Sequence, residues 1–444
     1  MGEVKLNIVV LTFSNLVIGL IEFVFNLYLS RILGAEGLGL LSLVSPINCL
    51  FLSFMTEGLV VTISKLSAKH AHFRDYTAMN NTIKVATIFS FLWSLVLVGI
   101  VFFSADFIAS RFLGDPSLRY PILATCPLMI LMSISNIVKG HFLGLAKIKI
   151  PSLINISEKL LRFPILYCLI RFLLNHTGFP PVTLVYLCYA IGEMQSVLFL
   201  LIYYKVTKPK PDKQFAPAPH AAEKLDLTTV KSVLSPLVKG AAPICLTQCL
   251  FEFVNAFSSV IVKSRLCAIG YSMSEALSLL GMYKGMVFPL ASYPMILVGS
   301  ICSIVVPRVS TMIASKKDRF AKRLLHRAMA AALIIGILTC ILFWIFADEM
   351  GLFFYKRDDL GLMIRLAGLC APLLFITTTT TSLLISVGRE GQSFRNCLFQ
   401  QLLLLIGLLI FTGIPALNIY GYLLSIALSN MVLLAQNLWY LRQP

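Results

Sequence analysis

Apolar runs of about 20 residues, each enough to cross the roughly 30 Å hydrocarbon core of a bilayer, recur from one end of this chain to the other. Twelve spans can be drawn, at roughly 6–30, 38–63, 84–105, 118–142, 152–174, 181–204, 233–262, 276–305, 324–346, 360–387, 396–413 and 416–440. A soluble protein is about a quarter charged. Only 13% of these 444 residues are, against 58% hydrophobic, with mean hydropathy +0.87. The expected fold class is therefore an all-α polytopic membrane protein of 12 transmembrane helices, without a water-soluble domain. The first run has no small-residue cleavage site and is followed at once by another, so a retained helix is expected.

Only one connection is long and polar, YKVTKPKPDKQFAPAPHAAEKLD from Tyr204 to Asp226, near the middle of the chain. It divides the expected architecture into a six-helix lobe at 1–204, a cytoplasmic linker at 205–227 and a second six-helix lobe at 228–444. Lysine and arginine set the orientation. The N-terminus and the loops after even-numbered spans hold 24 of the 37, the loops after odd-numbered spans hold nine, and Lys159, Arg162, Lys239 and Lys284 lie inside spans. By the positive-inside rule both termini are cytoplasmic. The net charge of +17 is thus mostly topological, and no nucleic-acid partner is expected.

The two halves echo each other. FSADFIASRF at 103–112 matches FADEMGLFFY at 346–355, Pro127 matches Pro372 at an offset of 245, and Gly144 matches Gly388 at 244. EFVFNLYLSR from Glu22 returns as EFVNAFSSVIVKSR from Glu252. Six spans per half make these parallel repeats, related by an axis along the membrane normal.

Polar groups inside the spans carry the functional reading. Asn15, Gly19, Glu22 and Asn26 share one face of the first helix, and Gln248, Glu252, Asn255 and Ser259 share one face of the seventh. Lipid satisfies neither stripe, so each faces protein or water. Helix–helix hydrogen bonding is one reading of the amides; the repeated glutamates favour a wet cleft between the halves. Lys159 and Arg162 lie three apart on the fifth helix, Lys239 near the start of the seventh, and Lys284 within GMYKG of the eighth. Snorkelling to an interface is the other reading, above all for Lys239 and Lys159. Cations beside a few carboxylates suit an anionic substrate. Candidate substrate contacts are Arg162, Lys284, Lys159, Lys239, Asn26 and Asn255. Glu22, Glu252 and Glu57 are the candidates for coupling to H⁺, to Na⁺ or to the membrane potential, although Glu57 lies near an inner helix end where it is simply solvated.

Other chemistries find little support. Cys245 and Cys249 are one turn apart without a histidine nearby, and the eleven cysteines show neither disulfide nor zinc spacing. No metal or cofactor is expected. A membrane enzyme would need clustered His, Asp or Glu at an interface, and none is apparent. GAEGLG at 34–39 resembles a dinucleotide loop, but no βαβ unit surrounds it. It reads as a tight outer hairpin formed by Arg31, Gly34, Glu36 and Gly37.

SRILGAEGLGLLSL resembles the first hairpin of the multidrug/oligosaccharidyl-lipid/polysaccharide (MOP) flippase superfamily, and EGLVVTISKLSA at 57–68 resembles the second-helix signature of its polysaccharide-export branch. Within that branch the chain is most similar to the stage V sporulation protein B group of spore-forming bacteria. The resemblance implies two pseudo-symmetric lobes, a central cavity lined by helices one, two, seven and eight, and alternating access. It implies an undecaprenyl-diphosphate-linked saccharide as substrate, a cell-wall, spore peptidoglycan or polysaccharide precursor. The protein would be a monomer in the bacterial cytoplasmic membrane, with membrane lipids its only other partners. A cation-coupled drug or metabolite antiporter of the same superfamily is the alternative, and its cavity would be acidic.

Overall fold

The computed structural model describes residues 2–207, 227–315 and 318–442, with side chains left out at 2–12, 174–177, 227–229, 231, 304, 307, 314 and 318. The linker expected at 205–227 lies almost wholly outside these residues. Among the described residues every long element is a helix, as apolar periodicity without strand signals requires.

The first helix, α1, runs Gly2–Leu52 and is broken once, at Gly34, whose φ of 66° and ψ of −174° are not helical. A side chain there would be strained, since positive φ costs an L-residue roughly 1–2 kcal/mol. The expected hairpin turn is therefore a single residue. Arg31 ends the first arm, and Glu36 and Gly37 already belong to the second. That arm continues through a π-helical turn, Ser53–Glu57, into α2, Gly58–His72.

The remaining helices of the first half are α3, Tyr76–Phe107, α4, Arg119–Gly144, α5, Lys149–Thr177, and α6, Pro181–Thr207. The second half has α7, Leu227–Ala268, α8, Met273–Gly281, and, after a π-helical turn at Met282–Val287, α9, Phe288–Ala314. Then follow α10, Asp318–Ile345, the single turn α11, Ala347–Met350, α12, Gly361–Ser386, α13, Glu390–Phe411, and α14, Tyr420–Arg442. Asp75 caps α3 by accepting from the Ala78 amide, and Ser272 and Glu275 close a capping box on α8.

Among the described residues ten helical stretches are long and apolar enough to cross a membrane; one, residues 13–72, holds both arms of the first hairpin and so two spans. Helix α5 is not among the ten. It carries Glu158, Lys159, Arg162 and Arg171, too many charges for a plain span. Counting both arms and α5 gives the expected twelve.

The repeat is visible in the packing order. In the first half α3 packs on α4, α4 on α6, α6 on α5, and α2 lies against α3 and α4. In the second half α10 packs on α12, α12 on α14, α14 on α13, and α9 lies against α10 and α12. The π-helical turns Ile108–Phe112 and Gly351–Tyr355 fall 243 residues apart, the offset of the matching sequence motifs.

The chain forms two compact units, one of Met1–Glu22 with Leu43–Ala256, the other of Phe23–Ser42 with Phe257–Pro444. The borders fall inside α1 and α7, so each of these long helices contributes to both units. In the second unit two glycines let backbones touch: a Cβ on Gly281 would lie 1.9 Å from the Ala35 carbonyl oxygen, and one on Gly39 would lie 2.0 Å from that of Leu277. The five consecutive threonines 377–381 of α12 settle into a membrane helix because each hydroxyl donates to a carbonyl three or four residues back.

Candidate functional site

In the first unit α6 lies between α4 and α5, and charge collects where they meet. Glu158 of α5 is 2% exposed and accepts from Arg162 Nε, one turn later, at 2.6 Å. Its other oxygen is 3.6 Å from Lys159 Nζ, and Lys159 also reaches Glu22 of α1 at 2.9 Å. The Arg162 guanidinium, 13% exposed, lies 4.5 Å from the ring centroid of Tyr189 on α6. Gly192 makes room for the pair, since a Cβ there would come within 3.1 Å of Glu158 Oε1. One turn toward the end of α4, Lys139 pairs with buried Glu193 of α6 at 3.3 Å. Gln195 donates to Ser157 at 3.1 Å beside them.

This cluster holds three carboxylates, Glu22, Glu158 and Glu193, and three cations, Lys139, Lys159 and Arg162. It is balanced, as low dielectric demands: each buried charge has a partner within reach. Glu22 is the member open to change. It is half exposed, whereas Glu158 is sealed.

The second unit has a different centre. Lys284 sits in the π-helical turn after α8 and donates to Ser259 of α7 at 2.7 Å. Ser259 in turn donates to the Ser42 carbonyl, and the Lys284 ammonium is 5.7 Å from the ring of Tyr422. Lys263, one turn beyond Ser259, is buried. The stretches 253–274 and 276–317, which carry both lysines, contain no aspartate or glutamate. A π-helical turn widens the helix locally and re-aims the side chain it carries, which is why such turns gather at functional positions.

The two repeats differ where they should match. The α13–α14 contact, equivalent to α5–α6, is held by neutral groups: Asn396 donates to Asn437, Asn437 to Thr380 and Thr381, and Gln400 to Ser429.

The structure thus brings Lys159, Arg162 and Glu22 together in the first unit; Lys284 belongs to the second. Asn26 is partly buried, with its Oδ1 lacking a hydrogen-bond partner among the described residues. Glu252 accepts from Asn255 at 3.5 Å, and both belong to the stripe on α7. Lys239 is exposed on α7, and Glu57 is exposed at its π-helical turn. Glu36 of the outer hairpin accepts from Ser274 at 2.7 Å.

Sequence reading missed Glu158, Glu193 and Tyr189, and it assigned Lys139 and Lys263 to loops although they lie on α4 and α7. The signal for Glu158 was present in NISEKLLRF, an acid one turn before an arginine. Cys245 serves packing, with Sγ 3.3 Å from the Gly58 amide. No group of three or more His, Cys, Asp or Glu among the described residues is placed to hold a metal. Outside the spans, hydrogen bonds from Arg357 hold the Asp359 carboxyl below its ordinary value of 3.8, against partial burial that pushes it up.

A family model described as Polysaccharide biosynthesis protein matches residues 4–313. The chain belongs to that family. Within reach of it, the chain is 23% identical to Stage V sporulation protein B of Bacillus subtilis (strain 168) over 432 residues, 96% of this chain and 80% of that one. It is 20% identical to Sporulation protein YkvU of the same organism over 430 residues, 96% of this chain and 92% of that one. Among solved structures, the fold matches a multidrug resistance MATE family transporter of the MOP superfamily in its inward-facing conformation. The TM-score is 0.73 at 15% identity, covering 96% of this chain and 93% of that one. It also matches a MOP superfamily transporter from Pyrococcus furiosus whose binding pocket is described as of reverse polarity. There the TM-score is 0.66 at 15% identity, covering 98% and 94%. The resemblance read from the first hairpin and the second helix is borne out: this family member is a multi-pass membrane protein with the MOP-superfamily fold.

Proposed function

We propose that this polysaccharide biosynthesis family member is an alternating-access flippase. Its cargo is an undecaprenyl-diphosphate-linked saccharide, a cell-wall, spore peptidoglycan or polysaccharide precursor, crossing the bacterial cytoplasmic membrane. The observation that carries this reading is the set of cations held inside membrane helices: Lys159 and Arg162 on α5, and Lys263 and Lys284 beside Ser259. A diphosphate needs such groups, because its charges face a large desolvation barrier in hydrocarbon. Guanidinium and ammonium donors replace its water with charge-assisted hydrogen bonds, while the prenyl tail stays in lipid.

Lys159 links substrate to coupling ion. It bridges Glu22 and Glu158, so a phosphate oxygen drawing it away leaves Glu22 without its lysine partner. A proton, or Na⁺, on Glu22 restores the balance. Outward movement of the diphosphate also runs with an inside-negative potential, worth about 2.3 kcal/mol per charge per 100 mV. Glu252 and Glu57 are the secondary coupling candidates. The protein acts without a cofactor and without chemistry on its cargo.

The test is reconstitution of the purified protein in vesicles with a fluorescent polyprenyl-diphosphate sugar, its leaflet read by quencher access. Protein-dependent crossing, weakened in Arg162→Gln and Lys284→Gln, is expected. No crossing of any such lipid by folded protein, or unaltered rates in both variants, rejects the reading. The balanced acids of the first unit keep the drug or metabolite antiporter as the alternative. Gradient-driven uptake of cationic dyes, lost in Glu22→Gln and indifferent to Lys284→Gln, selects it.

A further inference from the structure

Helix α10 enters its apolar span through two turns of one-sided charge. Arg319, Lys322, Arg323, His326 and Arg327 follow the spacing i, i+3, i+4, i+7, i+8, which at about 100° per residue puts all five on one face. All five are exposed, and none is in an ion pair with a described residue. The opposite face is the structural one: Ala321, Leu324, Leu325 and Ala328 pack with Val305 and Val309 of α9 and Leu383 of α12. Phe320, beside the first arginine, is 61% exposed.

Membrane topology alone does not explain this arrangement. The positive-inside rule counts basic residues near a span and is indifferent to the face they occupy. The equivalent helix of the first repeat supplies a comparison. From Tyr76 of α3 to Asp318 of α10 the offset is 242, and the matching positions are Thr77, Asn80, Asn81, Lys84 and Val85, a single cation. The stripe belongs to the second repeat only.

We propose that this stripe binds the phosphate headgroups of anionic phospholipids in the leaflet at that end of α10. The charges sit where the helix leaves the hydrocarbon, which is the depth of the headgroups. Arginine there takes phosphodiester oxygens in a fork of two N–H donors. This proposal stands apart from the transport reading, since lipid retention is measured without transport.

The experiment uses the full chain in nanodiscs of equal phosphatidylglycerol and phosphatidylcholine, with the annular lipid retained after brief detergent exchange quantified by mass spectrometry. Wild-type protein should retain phosphatidylglycerol several-fold over phosphatidylcholine. Each cation near an anionic surface is worth about fivefold in occupancy. The variant Lys322→Gln/Arg323→Gln/Arg327→Gln should therefore lose that several-fold preference and retain the two lipids about equally, and Arg323→Lys/Arg327→Lys should keep most of it. If the triple variant does not fold, the wild-type protein is tested across salt. Raising ionic strength from about 0.1 to 1 M shortens the Debye length from about 10 to 3 Å and should erase the preference. Equal retention of the two lipids by wild type, or a preference that survives both the triple variant and salt, overturns the proposal. So does tight binding of an acidic peptide to the stripe without any lipid preference.

Discussion

Replacing Glu158 by glutamine keeps the shape of the side chain and removes its charge, which tests the core of the first unit directly. Glu158 accepts at 2.6 Å from Arg162 and faces Lys159 at 3.6 Å. Removing one partner of a buried ion pair costs roughly 3–5 kcal/mol, because the other charge is left without compensation. The lower end applies here. Lys159 keeps Glu22 at 2.9 Å, and Arg162 keeps the Tyr189 ring, so the expected loss is about 3 kcal/mol. For a folding unit of 150–250 residues, that lowers the melting temperature by roughly 6–12 °C. The assay is fluorescence-detected thermal unfolding of detergent-purified protein. The double variant Glu158→Gln/Arg162→Gln removes both charges and should recover more than half of the loss, a non-additivity that only interacting residues show. A shift below about 2 °C for the single variant, or a double variant at the sum of the two singles, would refute the reasoning.

Four further outcomes are expected. Glu22→Gln should change stability by less than about 1 kcal/mol, because its carboxylate is half exposed, yet alter the gradient dependence of flux in the vesicle assay. Gly281→Ala puts a methyl 1.9 Å from the Ala35 carbonyl oxygen; backbone cannot yield cheaply, so a loss of about 1–3 kcal/mol should appear in the melt. Asn437→Leu strands the Asn396 amide and should cost about 1–3 kcal/mol, read the same way. The Asp359 carboxyl is held low in the fold, so its stabilisation is present above 3.8 and fades as pH falls through and below that value. Melts of wild type and Asp359→Asn should converge in acid and differ by well under 1 kcal/mol at neutral pH, since both partners are partly exposed.

Span number, repeat and family were legible because they rest on long patterns. Twelve apolar runs, an offset near 244 and a first hairpin each survive an error of a few residues. The ion-pair cluster was only half legible. Lys159 and Arg162 stood out as charges in an apolar run, but their partners come from α1 and α6, far off in sequence, and Glu158 was hidden beside a lysine it does not simply neutralise. Burial of Lys263 was not readable at all, because it depends on which neighbour packs over a helix face. The single-residue break at Gly34 was likewise smaller than six residues of GAEGLG suggested: glycine was needed once, for φ, and elsewhere for close approach.

The second repeat acts as an internal control for the first. If charges at the α5–α6 contact served only to hold helices together, the matching α13–α14 contact would need them too. It does without, using Asn396, Gln400, Ser429 and Asn437, all buried and bonded to one another or to the threonines of α12. Neutral amides and hydroxyls therefore suffice for this geometry. Buried ion pairs are no more stabilising than such groups, because desolvation offsets most of their attraction. The charges of Glu158, Lys159 and Arg162 are therefore open to the transport role proposed above. On this argument a neutralised first unit, with Glu158, Lys159 and Arg162 all changed to glutamine, should still fold and should no longer transport; a neutralised protein that transports normally would mean the charges are structural after all.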